Sequence, residues 1–141
     1  MYSRILVPVD TSYGDHSWLK VPLDNAFEYA TRSMGTIHLV SAIPENLLKG
    51  YYPDLNAEDI VKPATAKLEK IRAALLPINA QVKLHVEIGG ICSEILRVAR
   101  DINADLIVMA SHGPLVRDYW LGSNASYIAL HAPCSVFVVR Q

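Results

Sequence analysis

Three short apolar runs constrain the fold of this chain more than any other feature of its sequence. They comprise residues 5–9, 106–110 and 136–139, and apolar residues do not alternate with polar ones in any of them. Such runs are typical of strands that are buried on both faces, as in a parallel sheet covered by helices. A sheet with one solvated face would show alternation instead. The runs therefore predict a parallel sheet between two layers of helices.

Two further segments predict strands with weaker patterns. Residues 36–43 are mostly apolar but include Thr36, His38 and Ser41. Residues 82–88 alternate strictly between apolar and polar side chains. Strict alternation is the pattern of a half-exposed strand. We therefore place this third strand at an edge of the sheet.

Amphipathic segments between the strands predict helices. The expected helices span residues 24–34, 54–76 and 91–102, and a last one that opens at Gly122-Ser123 and runs to about residue 130. Pro63 lies inside the second segment, where we expect a kink or a fresh helix start. Two connections, residues 11–20 and 44–56, are longer than a simple strand-to-helix loop, which favours a functional or mobile role.

The alternation of strands and helices predicts an α/β fold. Right-handed crossovers and five strands favour a single, doubly wound parallel sheet in the order 3-2-1-4-5, with helices on both faces. The chain has 141 residues, no internal repeat and no low-complexity stretch. This length predicts one domain over residues 1–141.

Composition excludes several classes of protein. Lys plus Arg is 13 and Asp plus Glu is 14, for a net charge of −1, which argues against nucleic-acid binding. No apolar stretch approaches the length of a membrane span, and the N-terminus resembles no signal peptide. The two cysteines, Cys92 and Cys134, form no CxxC pattern. We therefore expect a cytoplasmic protein with reduced thiols and no membrane partner.

A ligand site is expected where the strand order reverses, beyond the carboxyl ends of strands one and four. Asp10 follows strand one, and Ala110-Ser111-His112-Gly113 follows strand four. The Asp10 carboxylate suits ribose hydroxyls or an adenine amino group, although it could instead cap the following turn. The last helix opens at Gly122-Ser123-Asn124, and the N–H groups at such an end favour anions. Ser123 could alternatively serve only as an N-cap.

In combination these segments resemble the nucleotide signature of the universal stress protein family. Ala110-Ser111-His112-Gly113, then eight residues, then Gly122-Ser123 is similar to the family pattern G-x2-G-x9-G-[S/T]. ILVPVD at residues 5–10 resembles the family's first strand, and HAPCSVFVVR at residues 131–140 resembles its last. The likeness covers nearly the whole chain and is closest to the bacterial F/G-type nucleotide-binding subclass. It implies a single universal stress protein domain with a flavodoxin-like, adenine nucleotide alpha hydrolase-like three-layer sandwich.

Two positions depart from the family pattern. Ala110 replaces its first glycine, and the spacer before Gly122 has eight residues instead of nine. The F/G-type subclass shares both departures and is regarded as nucleotide-binding, whereas A-type members lack the glycines and do not bind ATP. The resemblance therefore implies a stress-response module that binds ATP, ADP or AMP, with or without Mg²⁺. The alternative, favoured by these departures, is a stress protein that acts only through protein contacts.

The resemblance also implies a set of site residues. Adenine and ribose are expected near Pro8, Val9, Asp10 and Ala42, with Met109 beneath. Phosphates are expected on Gly113, Gly122, Ser123 and Asn124, next to Ala110 and His112. For His112 we favour a ligand contact or a loop role over catalysis, because no carboxylate is paired with it. The charge of Arg117 suits a terminal phosphate, and a solvated loop residue is the alternative.

No catalytic residue and no metal-ligating pattern is evident in the sequence. No general base is placed for an attacking water, so we expect at most slow ATP hydrolysis, with any Mg²⁺ bridging the phosphates. The resemblance further implies a homodimer through the last strand, from Ser135 to Arg140, or a tetramer. An unpaired, apolar strand edge is a template for this pairing.

Overall fold

A computed structural model describes residues 1–12, 14–46, 50, 52–111 and 122–140. The strands are β1 (Arg4–Pro8), β2 (Thr36–Ile43), β3 (Val82–Ile88), β4 (Leu106–Ala110) and β5 (Ser135–Val139). The helices that connect them include α1 (Lys20–Ser33), α2 (Ala57–Leu75), α3 (Ile91–Asp101) and α4 (Ser123–His131).

The strands form one parallel sheet in the order β3-β2-β1-β4-β5, which confirms the predicted fold class. In this register Leu6 of β1 lies opposite His38 on β2 and Ile107 on β4. The alternating third strand occupies one edge, as predicted, and β5 occupies the other. Because every strand runs in the same direction, all carboxyl ends meet at one end of the sheet.

Two apolar cores cover the two faces of the sheet. Side chains of α1 and α2 pack on one face, against Ile5 and Val7 of β1. Side chains of α3 and α4 pack on the other face, against Leu6 of β1 and Ile107 of β4. The runs of apolar residues in β1 and β4 therefore exist because both faces of these strands are buried.

The helix boundaries differ from the predicted ones. α1 begins at Lys20, four residues before the predicted start, because a 3₁₀ turn at Ser17–Leu19 leads directly into it. α2 begins later than predicted, after Asn56, whose side chain accepts a hydrogen bond from Asp59 in a capping box. The expected fresh start at Pro63 is wrong, since α2 continues through that residue. No helix in the described ranges has the length and apolarity needed to cross a bilayer.

Candidate functional site

A cavity of about 740 Å³ opens at the carboxyl end of the sheet, where the strand order reverses between β1 and β4. We call it the switch-point cavity. Its wall includes these predicted site residues: Pro8, Val9, Asp10, Ala42, Met109, Ala110, Gly122, Ser123 and Asn124. Three other predicted residues, His112, Gly113 and Arg117, lie outside the described residues. The fold thus brings together residues that are more than a hundred positions apart in the chain.

Backbone hydrogen bonds beyond the strand ends bring the walls of the cavity together. The Val9 N–H donates to Val40 O at 2.8 Å and so extends the pairing of β1 with β2. The Ser111 N–H donates to Val139 O at 2.9 Å, and the Gly122 N–H donates to Ser111 O at 2.8 Å. The bond from Gly122 to Ser111 holds the start of α4 at the end of β4. This backbone pairing places Gly122 on the cavity wall.

Asp10 combines a local role with a place in the cavity wall. Its Oδ1 accepts hydrogen bonds from the Ser12 N–H at 2.9 Å and from the Ser12 hydroxyl at 2.5 Å. The turn-capping role considered for Asp10 is thus present. Within the described residues no group bonds to Oδ2, and the side chain is exposed. One oxygen therefore shapes the turn, and the other can accept hydrogen bonds from a ligand.

The beginning of α4 presents backbone donors without a side-chain cap. Gly122 is the N-cap, with φ of −59° and ψ of 154°, and no side-chain hydrogen bond caps the helix. Ser123 is the first helical residue, so the alternative that it is the N-cap is wrong. The first N–H groups of a helix have no carbonyl partner inside it, and its dipole favours negative charge there. This end of the cavity suits an anion.

A thiol from the neighbouring helix holds Asn124. Cys92, the second residue of α3, donates its S–H to Asn124 Oδ1, with 3.3 Å between the sulfur and the oxygen. Burial raises the pKa of the Cys92 thiol, so the group remains a neutral donor near pH 7. This contact engages the amide oxygen of Asn124, and its NH₂ group has no partner among the described residues.

One wall of the cavity consists of residues that were not predicted from the sequence. That wall comes mainly from α2, from the segment after β1 and from β2 itself, and includes Thr11, Trp18, Ser41, Ile60, Pro63, Ala64 and Lys67. A polar residue inside an apolar strand was a usable signal for Ser41. Nothing in the sequence singled out Lys67, because a lysine on an amphipathic helix is ordinarily solvent-exposed.

Comparison with known proteins identifies the family. The model of the universal stress protein family matches residues 1–140. The chain belongs to this family. Universal stress protein G of Shigella flexneri is 29% identical over 145 residues, which cover 99% of this chain and 100% of that protein.

Solved structures of universal stress proteins share the fold. The structure of MJ0577, from Methanocaldococcus jannaschii, superposes with a TM-score of 0.81 at 25% identity, covering 100% of this chain and 97% of that one. A universal stress protein from Archaeoglobus fulgidus, solved in complex with dAMP, has a TM-score of 0.64 at 20% identity. That match covers 97% of both chains.

This universal stress protein accommodates its departure at Ala110 without backbone strain. Ala110 is the last residue of β4 and is half-buried. Among the described non-glycine residues only Met34 and Asn103 have positive φ, so Ala110 does not need the conformational freedom of glycine. Compared with the glycine of the family pattern, Ala110 adds one methyl group to the cavity wall.

Proposed function

We propose that this universal stress protein binds an adenine nucleotide in the switch-point cavity and works as a cytoplasmic stress-response module. One observation carries the proposal: a single cavity contains an Asp10 carboxylate oxygen that has no partner among the described residues, and a helix N-terminus at Gly122 that no side chain caps. The first suits ribose hydroxyls and the second suits phosphate. The relative from Archaeoglobus fulgidus, in its complex with dAMP, supports a ligand of this class.

The proposed orientation follows the chemistry of the cavity wall. Adenine would lie on Ala42 and Met109, because the flat faces of the adenine ring are largely apolar and these two side chains are apolar parts of the cavity wall. Met109 is 7% exposed, so it lies at the bottom of the cavity wall rather than on the outer surface. The ribose would lie at Asp10. The phosphates would accept hydrogen bonds from the first N–H groups of α4 and from the Ser123 hydroxyl. The described residues of the cavity wall therefore support a nucleotide in this orientation.

ATP, ADP and AMP all satisfy this arrangement, because they differ only in the phosphates that extend from α4. Within the described residues, no group of three or more His, Cys, Asp and Glu side chains could hold a metal ion. In this proposal Mg²⁺ is held mainly by phosphate oxygens. We expect at most slow hydrolysis, because the described residues assigned to the phosphate end, Gly122, Ser123 and Asn124, include no general base for an attacking water.

Release of the bound ligand tests the proposed function. The purified protein is denatured and the small molecules released are identified by mass spectrometry. ATP, ADP and AMP are then titrated calorimetrically into the stripped protein, with and without Mg²⁺. We expect an adenine nucleotide in the extract or micromolar binding in the titration. The absence of both, at several temperatures, would overturn the proposal and favour a function through protein contacts alone.

We also propose that two copies pair through β5. This strand (Ser135–Val139) lies at one edge of the sheet, and β4 pairs with one of its two sides. Three of its five residues are valine and one is phenylalanine. An apolar edge with unpaired backbone groups is a template for a second copy, and self-pairing would give an isologous dimer.

Val138→Pro should convert the dimer into a monomer. Val139 O accepts from the Ser111 N–H, so Val139 turns its backbone groups toward the β4 side, and the N–H of Val138 points to the open edge. Proline at position 138 removes an outward donor and leaves the β4–β5 ladder intact. Light scattering at micromolar concentration should show twice the chain mass for the wild type and for Val138→Ala, which keeps the N–H. A monomeric wild type, or a dimeric Val138→Pro variant, would contradict the pairing.

A further inference from the structure

Lys67 links two walls of the switch-point cavity. Its Nζ, on α2, donates to the backbone oxygen of Thr11 at 2.9 Å, across 56 positions of sequence. Thr11 lies between Asp10 and Ser12, the two residues of the turn that follows β1. The ammonium group is therefore attached to the turn that presents the Asp10 carboxylate.

Thr11 is held from both sides. Its hydroxyl lies 3.0 Å from Ser41 Oγ, and both residues are buried, with 7% and 1% of their surface exposed. Its backbone oxygen is held by Lys67. Ser41 immediately precedes Ala42, a residue of the cavity wall. One chain of hydrogen bonds thus runs from α2 through the turn to β2.

Lys67 is the basic residue of the described cavity wall. The charged residues of this wall are Asp10, Asp59 and Lys67, and the other two are acidic. Asp59 is engaged at the start of α2, where its Oδ2 accepts from the Asn56 N–H. An ammonium group has three donors, and Thr11 takes one of them. Removal of this ammonium would release the backbone at Thr11 without breaking an ion pair to any described residue.

We infer that Lys67 is a positioning residue: by holding Thr11 it fixes the Asp10 turn and so sets the preference of the cavity for ligands with ribose hydroxyls. The inference rests on the proposed nucleotide function and adds a residue that acts through Asp10. A carboxylate discriminates well only when its position is held before the ligand arrives. Lys67 supplies that restraint from a rigid helix.

The first test compares ATP with 2′,3′-dideoxy-ATP, which lacks both ribose hydroxyls. In the Lys67→Met variant we expect ATP binding to weaken roughly three- to tenfold, as for one lost hydrogen bond, with little change for the dideoxy compound. Lys67→Arg should largely restore the preference, because a guanidinium also donates to a carbonyl oxygen. Lys70→Met is the matched control, since Lys70 lies on the same helix and is exposed like Lys67, whereas the hydrogen bond to Thr11 comes from Lys67. Equal weakening of both ligands, or no change in either, would overturn the inference.

The second test needs no ligand. The Ser12 N–H is bonded to Asp10 Oδ1, so its hydrogen exchange reports the order of the turn. We expect faster exchange at Ser12 in Lys67→Met and wild-type exchange in Lys70→Met. Unchanged exchange in Lys67→Met would overturn the inference. If the wild type binds no adenine nucleotide, the proposed function fails, whereas this measurement still decides whether Lys67 holds the turn.

Discussion

Gly122→Val should abolish nucleotide binding and leave the fold intact. Gly122 caps α4 with φ of −59° and ψ of 154°, a conformation open to L-residues, so valine adds no backbone strain there. Its branched side chain would instead occupy space beside the first N–H groups of the helix. Loss of two or more charge-assisted hydrogen bonds, each worth about 1.5–3 kcal/mol, weakens binding by roughly 100-fold or more. Calorimetric titration with ATP measures the loss, and circular dichroism and thermal unfolding check the fold.

Two variants provide controls for this prediction. Gly122→Ala should have an intermediate effect, because a methyl group is smaller than an isopropyl group. Gly14→Val should bind ATP as the wild type does, since an added Cβ at Gly14 meets nothing within 4 Å. Unchanged affinity in Gly122→Val would place the phosphates elsewhere in the cavity.

Acid should destabilise the protein through a pair of histidines in the sheet. His38 of β2 is 6% exposed, and its Nδ1 lies 2.9 Å from Nε2 of His85 on β3. One imidazole ring donates a hydrogen bond to the other, so the accepting nitrogen must be unprotonated. At most one of the two rings can therefore carry a positive charge while this bond is kept. Burial, followed by the charges of His85, Lys83 and Arg4, lowers the pKa of His38 to about 4. Burial also lowers the pKa of His85, against the opposing effect of Glu87.

The sign of the pH effect follows from these pKa values. Above the unfolded value of 6.5, His38 is neutral in both states and the folded state keeps its full stability. As the pH falls from 6.5 toward 4, the unfolded chain takes up a proton that the folded protein resists, so stability is lost. The shift corresponds to a loss of roughly 3 kcal/mol once the pH is below both pKa values. Urea unfolding at pH 7 and pH 4.5 measures most of this loss.

Variants separate the histidine pair from other groups that titrate in acid. His38→Leu removes the titration, so its stability should fall less than that of the wild type between pH 7 and pH 4.5, by roughly 2 kcal/mol. His131→Gln is the control for loss of a histidine outside the pair, because His131 is exposed on α4 and takes no part in the contact between His38 and His85. Equal pH dependence in the wild type and His38→Leu would contradict the prediction, as would an NMR titration of His38 near 6.5.

Local patterns were sufficient to predict the sheet. The apolar runs at residues 5–9 and 106–110 become β1 and β4, which are buried on both faces, and the run at residues 136–139 becomes the partly buried edge strand β5. The alternating residues 82–88 become the other edge strand, β3 (Val82–Ile88). Helix ends were less predictable. α1 starts at Lys20 because a 3₁₀ turn precedes it, and that turn has no apolar periodicity to mark it. α2 continues through Pro63, and its later turns pack on the sheet through Leu68 and Ile71.

The candidate site was predictable wherever a residue follows a strand. Asp10 and Ala110 occupy positions that the topology itself brings together, and Gly122 carries a recognisable helix-opening signal. The α2 wall was not predictable, because amphipathic periodicity shows which face of a helix is buried and not where along the sheet the helix lies. Lys67 and Thr11 meet only in the folded chain, 56 positions apart.

By itself the sequence determined the α/β class, the strand order, the edge position of β3 and the residues at the carboxyl ends of the strands. These features depend on hydrophobic periodicity and on rules of chain connection, both of which act locally. Only the tertiary structure decided the cavity wall from α2, the bond from Cys92 to Asn124, the His38–His85 pair and the link from Lys67 to Thr11. Each of these depends on side chains from separate elements, and their distances are set by how helices and strands pack together.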